Sequence, residues 1–198
     1  MSVETERLHP VAARLLARAQ RELNGGRAAD AEHTLAAVLA LAPGNADAMR
    51  CLGAVAQWRG DHAKAAECFR RALDAWPGDS ALHVNLGIAL YGAGDVGAAV
   101  SQLRRGCELD PTSVLAWFNL GEALQRQAQT HDAVAAFQRA LDLDPSHIPA
   151  RLSLATAQAS IGRVDLAIAE FREVLRRDPE NARAWFDLSN LKTLRFAP

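Results

Sequence analysis

Residues 116–124 read AWFNLGEAL and residues 184–192 read AWFDLSNLK, so nearly the same nonapeptide returns 68 residues later in a chain of 198. That interval is two periods of 34, and an internal period is the strongest single constraint a sequence can place on its fold. Pro43, Pro77, Pro111, Pro145 and Pro179 stand at strict intervals of 34, three of them after Asp110, Asp144 and Asp178. Proline cannot extend a helical hydrogen-bond ladder and moves the preceding residue out of the α region, so each proline marks a helix end. Seventeen residues before each proline stands Gly26, Gly60, Gly94, Ala128 or Gly162, and four of these five tolerate a left-handed turn. Each unit therefore reads as helix, tight turn, helix, stop.

Units counted from residues 46, 80, 114, 148 and 182 repeat an apolar set in the first helix at places four, seven and eight. The second helix repeats Ala65, Ala99, Ala133 and Ala167, each followed four residues on by Phe69, Leu103, Phe137 or Phe171. Both spacings are helical. Small residues at Gly53, Gly87, Gly121 and Ala155 let the paired helices approach closely while large ones fill the grooves between them. One such pair cannot bury its apolar face alone, and stacking buries it. The expected organisation is an N-terminal tail or cap at 1–11, five repeats at 12–45, 46–79, 80–113, 114–147 and 148–181, and a capping helix or start of a sixth repeat at 182–198. The first unit lacks a clear small-residue step in the sequence.

Composition narrows the class further. Hydrophobic residues make up 49% of the chain, carried by Ala and Leu rather than β-branched residues, which favours an all-α fold. A net charge of -1 gives no electrostatic reason to expect nucleic acid or an anionic membrane as partner. No apolar run has the length of a secretory signal or a membrane span. Cys51, Cys68 and Cys107 are odd in number and far apart, as expected of reduced core thiols in a cytoplasmic protein. Arginine outnumbers lysine, present only at Lys64 and Lys192, as in GC-rich bacterial genomes.

The W-x-x-L-G run of Trp117, Leu120 and Gly121, the Ala and Phe of the second helix and the terminal proline, all at a period of 34, resemble the tetratricopeptide repeat. The resemblance covers every unit from residue 46 to 181, with Ala56, Leu90, Leu124 and Gln158 where the family has an aromatic residue. It implies a right-handed superhelix, an α-solenoid whose first helices line a concave groove. Places two, five, nine and twelve, with thirteen alongside, form a stripe distinct from the core stripe. Along the array that stripe carries Arg50, Trp58, Val84, Ile88, Tyr91, Phe118, Glu122, Gln125 and Arg126, an apolar middle with a polar rim, and Asn85 and Asn119 stand beside it. Asn85 and Asn119 share place six and resemble the asparagine ladder of O-linked N-acetylglucosamine transferases; a generic structural role for the two is the alternative.

No phosphate-binding glycine loop, zinc-protease motif or paired Cys-x-x-Cys is present, and the six histidines do not cluster at ligand spacing. The expectation is a non-enzymatic protein without cofactor or metal, a scaffold that binds a protein or peptide segment in its groove. The alternative is a substrate-selecting module of a larger transferase, because AWFDLSNLKTLRF at 184–196 resembles the junction between repeats and catalytic domain in bacterial sulfotransferases. In that terminal helix Trp185 and Leu188 take core places, while Phe186, Leu191, Leu194 and Phe196 point outward and would pair with a second copy or a following domain.

The assignment of faces makes a direct comparison. Leu120→Ala is expected to cost about 2–5 kcal/mol, and Gln125→Ala less than about 0.5 kcal/mol. Equal shifts in denaturant midpoint for the two variants would overturn the assignment.

Overall fold

The computed structural model describes residues 10–195, with side chains described as far as Leu191. These residues form eleven helices and, among the described residues, no strand. They fall into two compact units, divided after Asp95. The first unit holds α1 (Pro10–Asn24), α2 (Ala28–Leu41), α3 (Ala46–Trp58), α4 (His62–Ala75) and α5 (Ser80–Ala93). The second holds α6 (Val96–Leu109), α7 (Val114–Arg126), α8 (Thr130–Leu143), α9 (Ile148–Ser160), α10 (Val164–Arg177) and α11 (Ala182–Arg195). In the first unit α1 pairs with α2 and α3 with α4, and α2 and α4 also pack on the helix that follows them. The second unit repeats the scheme with the pairs α7/α8 and α9/α10, and α11 packs on α10 and α9.

The starts and stops obey one local chemistry. Asn45, Asp79, Ser113, His147 and Asn181 recur every 34 residues. Each accepts a hydrogen bond from the backbone N–H three residues on, at 2.7–3.2 Å, satisfying a donor that the first helical turn leaves open. After α1, α3, α5 and α9 respectively, Gly26, Gly60, Gly94 and Gly162 take positive φ, and Ala128 after α7 takes the same conformation at φ 60°. The next residue closes the turn: Asp61 N–H donates to Ala56, Asp95 to Leu90, Gln129 to Leu124 and Arg163 to Gln158.

The proline carbonyls also find partners. At place four, His83, Trp117, Arg151 and Trp185 each put a ring or guanidinium nitrogen 2.9–3.0 Å from the carbonyl of the proline six residues earlier. The unit with Met49 at that place lacks such a donor, and Arg71 of α4 supplies it to the Pro43 carbonyl at 3.1 Å. This corrects the expectation of an apolar place four. A side chain needed at the helix-start turn stays half out of the core, and Trp185 is 55% exposed. Place three does the expected work, with Ala48, Leu82, Ala116, Ala150 and Ala184 fully buried.

The remaining core expectations hold. Leu86, Leu120, Leu154 and Leu188 at place seven are buried, as are Phe69, Leu103, Phe137 and Phe171 on the second helices. The first helix pair does have its small residue: Ala19 of α1 is fully buried. In the same pair Glu22 is 4% accessible and accepts hydrogen bonds from Arg18 and Thr34, both at 2.7 Å. Those bonds hold its carboxyl below the usual range, so it stays charged despite burial.

Ala128 alone among the turn residues carries a Cβ in the left-handed conformation, which costs an L-residue roughly 1–2 kcal/mol. Ala128→Gly relieves that strain and loses part of the gain to unfolded-chain entropy. The expected net effect is a stabilisation of about 0.5–1 kcal/mol in urea unfolding, and an unchanged or lowered midpoint would contradict the strain.

Candidate functional site

A first helix turns its core seam inward at places three, seven, eight, ten and eleven, and leaves places two, five, nine, twelve and thirteen for other uses. In the first unit this outer face is dominated by Trp58, which ends α3 and is 78% exposed. Two concavities share Ala54 and Trp58 as a common wall. One, of about 420 Å³, is completed by Leu23, Gly26 and Ala28 from the α1–α2 turn together with Val55. The other, of about 430 Å³, is completed by Gln57, Phe69 and Asn85. Ile88 and Tyr91 are half-buried on α5, and Arg50 is ion-paired with Asp47 at 3.1 Å.

Val84 does not line an exposed patch, because it is only 3% accessible. Place five stands about 60° round the helix from place eight, so a short valine falls beside the glycine-bearing seam.

The second unit shows the same geometry with a larger residue. Phe118 at place five is half-buried, its ring 6.1 Å from that of Phe137 and 5.0 Å from that of His147. Asn119 donates its amide to the Leu115 carbonyl of its own helix at 2.8 Å, which occupies one of the donors a ladder would present. Glu122 accepts a hydrogen bond from Ser153 Oγ at 2.7 Å, tying α7 to α9. Gln125 is half-buried and Arg126 exposed at the end of α7.

On α11, Phe186 is 66% exposed, beside the exposed Trp185. Leu191 is not outward: it is partly buried against the cluster of Leu152, Ile168, Phe171 and Leu188. The reason is the helical period, which puts place ten on the same side as places three and seven. The side chain of Leu194 and the whole of Phe196 lie outside the described residues. Ala54 lies at place nine of the stripe read from the sequence, whereas Leu23 and Ala28 carry no sign of a site there. They line a concavity only once the turn between α1 and α2 is folded against α3.

Three thiols and three carboxylates are committed to structure. Burial raises the Cys51 and Cys68 thiols and pushes Cys107 up to about 12, which leaves them as protonated core groups. Asp110 and Asp144 are held low by hydrogen bonds from Thr112 and Ser146, the side-chain hydroxyl and the backbone N–H in each case. They act as helix-end acceptors, as their place beside proline suggests. Paired hydrogen bonds from Arg176 and Arg177 hold Glu173 at about 2. Among the described residues no group of three His, Cys, Asp or Glu could hold a metal ion, and no helix is long and apolar enough to cross a membrane.

Fold and face together define a class: stacked helix-turn-helix repeats with a constant core and a variable outer stripe. A family model for the tetratricopeptide repeat matches residues 16–80, 59–114, 84–148, 118–182 and 152–191, and the chain belongs to that family. No curated protein matches it.

Solved structures share the fold at low identity. YrrB, described as a tetratricopeptide repeat protein with an unusual peptide-binding site, is 21% identical with a TM-score of 0.80, over 89% of this chain and 91% of that one. MamA from Desulfovibrio magneticus RS-1 is 20% identical with a TM-score of 0.82, over 88% and 99% of the two chains. A tetratricopeptide repeat protein from Parabacteroides merdae is 17% identical with a TM-score of 0.81, over 94% and 74%.

Proposed function

We propose that this protein is a non-catalytic scaffold that binds a peptide or protein segment on its first-helix face. One observation carries the reading. Core places hold the same residue type from repeat to repeat, whereas the outer stripe changes at each repeat and leaves a tryptophan in solvent beside two concavities. An exposed tryptophan flanked by clefts is the kind of anchor that carries binding energy at protein interfaces. The peptide-binding site named for YrrB supports the reading by analogy of fold.

The binding residues proposed are Arg50, Trp58, Asn85, Ile88 and Tyr91 in the first unit and Phe118, Asn119, Glu122, Gln125 and Arg126 in the second, with Val84 as buried support. The substrate-selecting module of a larger transferase keeps only the segment 184–196 in its favour, and the last part of that segment lies outside the described residues. Binding is expected near the micromolar range, on the order of -8 kcal/mol. Ligands taken from a peptide array should bind the full chain and weaken in a Phe118→Ala, Asn119→Ala double variant of unchanged helicity. Normal binding by that variant would remove the second unit from the site.

The adjacent exposed rings of Trp185 and Phe186 support a further contact, self-association through α11. Light scattering at rising concentration is expected to give a dimer that Phe186→Glu disperses. Leu191→Glu, by contrast, would strike the core. A wild-type monomer at high concentration would end this part of the reading.

A further inference from the structure

We infer that the surface around Trp58 is a subsite for an uncharged, extended peptide segment with two apolar side chains two residues apart, one seated on each side of the indole. The inference rests on the peptide-binding reading above and names the ligand class for its first unit. Trp58 and Ala54 belong to the walls of both concavities, so the exposed indole is a ridge between them. Each concavity falls in the size range of small-ligand clefts.

Charge decides the kind of side chain. Among the described residues neither lining contains a charged one. The arginines next in sequence to lining residues have acidic partners: Arg59 beside Trp58 shares Glu32 with Lys64, Arg27 beside Gly26 and Ala28 lies 3.9 Å from Asp30, and Arg70 beside Phe69 bonds Glu67 at 2.8 Å. A ligand carboxylate or ammonium seated here would lose its water without gaining a counter-ion, whereas an apolar side chain gains from burial.

Backbone conformation follows from the second concavity, where Gln57 and Asn85 contribute primary amides. Such amides pair with peptide N–H and C=O groups, which an extended segment offers and a helix has already used internally. Spacing follows from ring thickness. Side chains at i and i+2 of an extended strand stand about 7 Å apart on one side. An aromatic ring with a carbon in contact on each face, at about 3.5–4 Å, fills that gap.

The test uses the full 198-residue chain and fluorescein-labelled peptides of about ten residues. Each peptide is serine and glycine with two leucines separated by one to four positions, followed by fluorescence anisotropy. The tightest binding is expected at i, i+2, at least about tenfold over the other separations. Replacing either leucine by glutamate should remove it, and Trp58→Ala should weaken it about tenfold with unchanged circular dichroism. An optimum at i, i+3 or i, i+4, or indifference to Trp58→Ala, overturns the subsite. If array peptides bind and respond to the Phe118→Ala, Asn119→Ala variant but not to Trp58→Ala, the subsite is wrong and the scaffold stands. If neither the array nor the labelled peptides yield any binding, the peptide-binding reading falls and takes the subsite with it.

Discussion

Everything in this fold depends on how closely the two helices of a repeat approach at one place. A Cβ added to Gly53 would stand 2.7 Å from the ring of Phe69, and one added to Gly121 would stand 2.4 Å from the ring of Phe137. Real Cβ atoms do not come that near, so in these two repeats a glycine at place eight seats the ring of the second helix, whereas the repeat with Ala155 at that place seats Phe171 beside a methyl group. The ring is then fully enclosed: Phe69 and Phe171 are 1% accessible and Phe137 is 0%. A methyl group added at Gly53 or Gly121 requires the ring or the helix that carries it to shift, whereas removing the ring opens a cavity with the cost of a large-to-small core change. A repeat tolerates many outer residues because this contact is local and recurs.

The turns make the same contact reachable. A left-handed residue reverses the chain within a few positions, and the bond from the next N–H to the carbonyl five residues back fixes the angle at which the second helix leaves. At the other end of each repeat the proline stops the helix, an N-cap side chain starts the next, and a place-four donor ties the proline carbonyl down. The substitution of Arg71 for a missing donor at place four shows that the carbonyl needs a partner more than it needs a particular one. These polar details set the stagger of the helices, and the stagger decides which outer residues come together.

Much of the fold was legible because proline, glycine and the alternation of small and large residues each act locally. Pro111 ends α6 and Gly94 ends α5 whatever the rest of the chain does. The errors came from residues with two physical characters. Trp117 and Trp185 look like core aromatics by size, yet each has an indole N–H that a nearby carbonyl claims, and that bond draws the ring toward the surface. Leu191 looked like surface because no second helix was expected to cover it, but the fifth repeat already covers its side of α11. Val84 was assigned by place alone, and its short side chain let the seam enclose it.

The binding face was harder to read, for a reason that follows from the architecture. A core place is defined by repetition and is therefore visible in one sequence. A recognition place is defined by departure from repetition, and a single sequence does not separate a departure that binds from one that drifts. Folding separates some of them. Asn119 and Glu122 depart from the pattern and are taken up by their own neighbours, Leu115 and Ser153, so part of their hydrogen-bonding capacity serves the scaffold. Trp58 departs as far and is taken up by nothing of comparable size, since it remains 78% exposed between two clefts. A large apolar side chain kept in water at a defined position costs free energy that a bound segment can return, and this difference in how the departures are used makes the first unit the stronger place to look for a partner.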